Sequence, residues 1–168
     1  MILGMSIQLF TLLHVVISLI GIGTGLIAVS GLIGARLLSR WTVVFLVTTI
    51  LTSITGFMFP FNGVTPGIVL GILSMFVLVL AVLALYGRKL EGAWRGTYVI
   101  SACLALYFNV FVLFAQLFAK VPALKAIAPT QASPAFGATQ LAVLAAFTIL
   151  TIRSFKGFRV AAANPKMS

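Results

Sequence analysis

The chain has 168 residues, of which 62% are hydrophobic and only 7% charged, with a mean hydropathy of +1.25. One soluble domain of that length has too little interior to hide so much apolar surface, so the composition predicts an integral membrane protein. A formal charge of +10 would point to nucleic acid in a soluble chain. Here the basic residues lie in short segments between apolar runs, where they set membrane orientation, and no nucleic-acid partner is expected. Glu91 is the single acid, which excludes paired carboxylates for acid/base catalysis, divalent-metal ligation or a proton relay.

The first apolar run, Ile2 to Ala35, is interrupted only by His14 and small or uncharged polar residues. At 1.5 Å per residue it makes ~50 Å of helix, more than a bilayer requires, so it must tilt, bend or protrude. It lacks a basic leader and is too long for the apolar part of a cleaved signal. Gly21, Gly25 and Ala28 form a small-residue face on which another helix can approach closely. The run GIGTG at Gly21 to Gly25 has no preceding strand and no nearby acid, so it carries no weight as a nucleotide loop.

Arg36 and Arg40 bracket a tight connection, with Trp41 as an interfacial anchor. A second span covers about 42–59. Its Thr48, Thr52 and Thr55 share a face, where each hydroxyl can bond the carbonyl one turn back without any other partner. The segment FPFNGVTPG, Phe59 to Gly67, has turn chemistry and no charge. A third span, about 66–86, reads as scaffold, with Gly67, Gly71 and Ser74 as a short small-residue ridge. The basic connection GRKLEGAWRG, Gly87 to Gly96, follows, in which Glu91 and Arg95 are candidates to pair across one helical turn.

The fourth span, about 97–118, carries the most information. Tyr98, Ala102, Ala105, Asn109, Val112 and Gln116 recur at spacings of four and three and form one narrow stripe facing other helices. The segment Ala119 to Gln140 is the one long connection, and its stretch at 119–135 is expected on the outer side. There Pro122 opens and Pro129 closes a short interfacial helix, with Leu124, Ile127 and Ala128 on its apolar side. A fifth span follows at about 136–153. Five spans collect Arg36, Arg40, Arg88, Lys89, Arg95, Arg153, Lys156, Arg159 and Lys166 on one side and leave Lys120 and Lys125 opposite. Four would place the basic tail on the translocated side. The predicted architecture is therefore all-α: one polytopic transmembrane helical bundle over 1–168, with the N-terminus outside and the C-terminus cytosolic.

Counted from the cytosolic ends, Asn109 lies ~18 Å up its helix, Thr55 ~20 Å, and Gln116 and His14 both ~28 Å, with Gln140 at that same outer level. The expectation is an outer-half polar cavity lined by His14, Thr55, Asn109, Gln116 and Gln140 and capped by the Pro122 to Ala128 segment. It would take a small molecule or a lipid or quinone head group. The competing reading is interhelical hydrogen bonding that only holds the bundle together. Haem is disfavoured because His14 is the sole histidine and neither Met58 nor Met75 is well spaced to complete a pair. Cys103 is too deep to share an ion with His14, which disfavours zinc or copper, and it reads as a packing residue. No metal, no cofactor and no catalytic residue is expected.

At YFNVFVLFAQLFAKVPALKAIAPTQASPAF, Tyr107 to Phe136, and less closely through His14 and GFMFPFNGVTPG, the chain resembles a group of small, uncharacterised bacterial inner-membrane proteins. The resemblance implies a helical bundle in a bacterial cytoplasmic membrane and assigns no activity to any residue. The function expected is that of a non-enzymatic membrane module that binds a small or lipidic ligand, or serves as an accessory subunit of a larger membrane complex. The alternative is a small transporter or channel formed by homo-oligomerisation.

Overall fold

The structure is a computed structural model that describes residues 2–60, 63 and 65–163, with side chains to Phe158. Asn62 of the expected turn and Lys166 of the expected basic tail lie outside the described residues. Six helices follow one another: α1 (Ile7–Ile33), α2 (Ser39–Phe57), α3 (Pro66–Val82), α4 (Trp94–Lys120), α5 (Pro122–Ile127) and α6 (Pro134–Ala163). Five of them are long and apolar enough to cross a membrane. Ser6 caps α1 by accepting from the Leu9 N–H at 3.2 Å. Thr65 does the same for α3, where Pro66 takes the first helical position, a place at which its missing N–H costs nothing.

The end of α3 departs from regular helix. The Arg88 N–H reaches back five residues to the Leu83 carbonyl at 2.8 Å, and the Leu90 N–H reaches the Ala84 carbonyl at 3.0 Å, so the last turn is widened into a π-type turn over Leu83–Gly87. Lys89, Leu90 and Gly92 then take positive φ. The basic connection thus reverses in left-handed steps, and Glu91 lies in that turn, ahead of the start of α4. The expected pair with Arg95 gives way to another arrangement. The Arg95 guanidinium donates to the Phe158 carbonyl at 3.4 Å and to the Leu90 carbonyl at 3.5 Å, and it sits 5.2 Å from the Phe158 ring centroid. It ties the start of α4 to the far end of α6.

The five long helices run alternately up and down. Arg36, Arg40, Arg88, Lys89, Arg95, Arg153 and Lys156 therefore fall toward one end, and Lys120 and Lys125 toward the other. We call the first the basic end. The main core lies in the basic half and is built from Val29, Leu32, Phe45, Leu46, Leu78, Ala81, Tyr98, Ala102, Ala105 and Leu106. Missing side chains let the helices close there. A Cβ on Gly25 would stand 2.7 Å from both the Leu106 and Phe45 side chains, one on Gly96 would stand 2.7 Å from the Phe155 ring, and one on Gly157 would meet the backbone of α1. The small-residue face expected on α1 is thus the seat of α2 and α4.

Packing loosens toward the opposite end. On α1, Phe10 is the one buried residue before Gly21. On α4, burial ends at Leu106 and returns only at Phe118. That Phe118 belongs to a separate small cluster with Ala128 and Phe136, against which Leu124 packs. This cluster seats α5, the short helix expected after Pro122. Ile127, expected on its apolar side, is instead 65% exposed, because a six-residue helix turned by 3.6 residues per turn can lay only one edge on α4.

Candidate functional site

Four of the five candidate residues occupy three different helix contacts, and the fifth, Gln116, is exposed. His14 and Thr55 meet between α1 and α2, with His14 Nδ1 2.7 Å from Thr55 Oγ1. The Thr55 hydroxyl also lies 2.7 Å from the Leu51 carbonyl, to which it donates its one proton. With that proton on the carbonyl, the imidazole is the donor through Nδ1–H in the neutral tautomer that leaves Nε2 as an acceptor. Phe59 stands edge-on to the imidazole at 5.3 Å, and Gly56 leaves room for its Cε1. Phe10 packs on Phe59 at 5.1 Å, which fixes the aromatic wall behind the histidine.

Asn109 joins α4 to α2. Its Nδ2 donates to Thr49 Oγ1 at 3.3 Å, beside Gly21, where a Cβ would crowd Thr48 and Thr49 at 3.2 and 3.3 Å. Glycine on α1 thereby makes space for a polar contact between its two neighbours, one that contributes on the order of 0.6 kcal/mol. Thr49 was not among the expected site residues. The signal for it was its place beside the Thr48, Thr52 and Thr55 face. Those three hydroxyls bond carbonyls four residues back, at 2.7, 2.9 and 2.7 Å.

Gln140 joins α6 to α4, its Nε2 donating to the Phe111 carbonyl at 3.2 Å. Its Oε1 is buried and has no hydrogen-bond partner among the described residues, which makes it an acceptor awaiting a donor. Gln116, by contrast, is exposed. It lies seven residues beyond Asn109 and so within ~20° of the same stripe of α4, the side whose amide reaches α2. The stripe therefore starts in the core at Tyr98 and emerges from the packed region before Gln116.

Two grooves in the bundle surface involve none of the five. One of about 460 Å³ is lined by Ile50 of α2 and the flank of α3 beside it, down to Gly87. The other, about 210 Å³, lies between α4 and α6 and includes Cys103, Tyr107 and Thr151. No group of three or more histidine, cysteine or acidic side chains that could hold a metal ion occurs among the described residues. Fold and side-chain placement define the class: a multi-pass helical membrane protein whose few polar groups are divided between hydrogen-bonded helix contacts and exposed amides, Gln116 among them. Compared with protein-family models, with curated proteins and with solved structures, the chain finds no match.

Proposed function

We propose that this is a non-enzymatic integral membrane protein that accepts a small, lipid-like or quinone-like ligand in the loosely packed half, opposite the basic end. The supporting observation is the exposure of Gln116 on the stripe that, two turns earlier, carries Asn109 into the α2 contact. An exposed amide on the stripe that carries Asn109, within an apolar helix, calls for a partner, and a bound polar head group is one. His14 Nε2 offers an acceptor in the same half, where the buried Gln140 Oε1 has no partner among the described residues and α5 packs against the Phe118 and Phe136 cluster. Under the positive-inside rule the basic end faces the cytosol, which puts this half on the outer side with the N-terminus.

The same exposed amide favours one second reading, in which a helix of a partner subunit or of another copy of the chain satisfies Gln116, as in an accessory subunit or an oligomeric transporter or channel. Native mass spectrometry from a mild detergent separates the two. The ligand reading expects a small molecule retained on a monomer and lost in Gln116→Leu, with the thermal midpoint kept. A fixed oligomer that dissociates in Gln116→Leu would favour the subunit reading. A ligand-free monomer unaffected by the substitution would contradict both.

A further inference from the structure

We propose a second, independent site: a groove for one acyl chain of an anionic phospholipid, along the flank of α3 beside α2 at the basic end. Helices α2 and α3 are drawn together away from that end. There Ser53 Oγ lies 3.4 Å from Ser74 Oγ, and Gly71 admits the Phe57 ring, which a Cβ would approach to 2.9 Å. Toward the basic end the wall passes almost wholly to α3, as Met75, Leu78, Val79, Val82, Leu83, Tyr86 and Gly87, with Ile50 as its one residue from α2. The result is a cleft of about 460 Å³ whose lining side chains, apart from the Tyr86 hydroxyl, offer no polar group. From Met75 to Gly87 it runs ~18 Å along the helix, close to the ~15 Å hydrocarbon depth of one leaflet.

Its mouth names the occupant. The π-type turn over Leu83–Gly87 brings Tyr86 to the rim, 56% exposed, and is followed directly by Arg88 and Lys89, both exposed. Arg88 is held with its guanidinium carbon 5.2 Å from the centroid of the Trp94 ring, an arrangement that orients it without neutralising it. A hydrocarbon groove one leaflet long that ends at Tyr86 and Gly87, with two exposed cations next in the chain, matches a lipid with apolar chains and a negative phosphate head group. The surplus of cations at this end, against one acid in the whole chain, favours an anionic lipid over a zwitterionic one.

The full-length protein, delipidated in detergent and titrated with dioleoyl phosphatidylglycerol or dioleoyl phosphatidylcholine, is read by native mass spectrometry. One phosphatidylglycerol per chain is expected, in preference to phosphatidylcholine and undisplaced by inorganic phosphate. Arg88→Gln and Lys89→Gln should each weaken it roughly fivefold. Val79→Trp, at a position 60% exposed and so outside the core, should fill the slot and abolish binding, while Arg153→Gln at the same end but off the groove should leave it intact. Equal binding of the two lipids, retention by Val79→Trp, or an equal loss with Arg153→Gln would overturn the site. Gln116→Leu is expected to leave this lipid in place, which keeps its outcome separate from that of the ligand proposed for the other half.

Discussion

Gly157→Val is expected to destabilise the bundle by about 3 kcal/mol or more, at or beyond the upper end of what overpacking usually costs. A Cβ on Gly157 would collide with the Ile33 carbonyl oxygen and come within 2.9 Å of the Leu32 carbonyl oxygen. Both obstacles are backbone, so no rotamer change relieves them, and α6 must move away from α1. That movement also strains the neighbouring contacts, in which Ser154 Oγ reaches the Val29 carbonyl at 3.5 Å and Arg95 holds the Phe158 carbonyl. Gly23, whose added Cβ meets nothing within 4 Å, is the control. Gly23→Ala should be neutral or stabilise by up to about 1 kcal/mol, since a helical glycine carries an entropic cost that alanine does not. Equilibrium unfolding in mixed micelles measures both.

Phe45→Ala should be equally costly, about 3–5 kcal/mol. Phe45 is fully buried and its ring fills the space left open by Gly25 on α1, lying 2.7 Å from where a Cβ would be. Bilayer lipid cannot enter a gap closed on all sides, so the lining atoms lose their dispersion contacts outright. The pair is also coupled. Gly25→Ala alone pushes on Phe45 and Leu106 and should destabilise, whereas in the Phe45→Ala background the same methyl enters the cavity and should recover part of the loss. A double-mutant cycle with an interaction energy near zero would show that Gly25 and Phe45 do not share one packed contact.

These glycines illustrate what was legible in the chain. Gly21, Gly25 and Ala28 stood out because they repeat at helical spacing inside an apolar run, and they do seat α2 and α4. Gly157 and Gly96 perform the same task at the basic end. They passed unnoticed because charged and aromatic residues flank them and no spacing sets them apart. The short helix after Pro122 was readable from its two prolines, but which of its apolar residues faced inward was not, because a short helix has no periodicity to average over. The polar stripe of α4 was visible as a pattern. Pattern alone does not record where neighbouring helices part, and so it could not separate Asn109, held by Thr49, from the exposed Gln116. The Leu83–Gly87 turn and the groove above it were illegible for a related reason. A run of leucine and valine specifies a span, while its shape comes from the register of the helices around it.

The central claim is that the bundle is sealed at its basic end and open at the other, with Gln116 facing that opening and not the lipid. Spin labelling tests it most directly. In a Cys103→Ala background, nitroxides placed by Gln116→Cys and Leu12→Cys would sit at similar depth, ~6–8 Å inside their helix ends, with Leu12 on the outer surface of α1 at 60% exposure. In reconstituted vesicles the label at Gln116 should be relaxed more by a water-soluble nickel chelate than by oxygen, and the label at Leu12 more by oxygen. If the two labels respond alike, with oxygen dominant at both, Gln116 points into acyl chains and the open half does not exist.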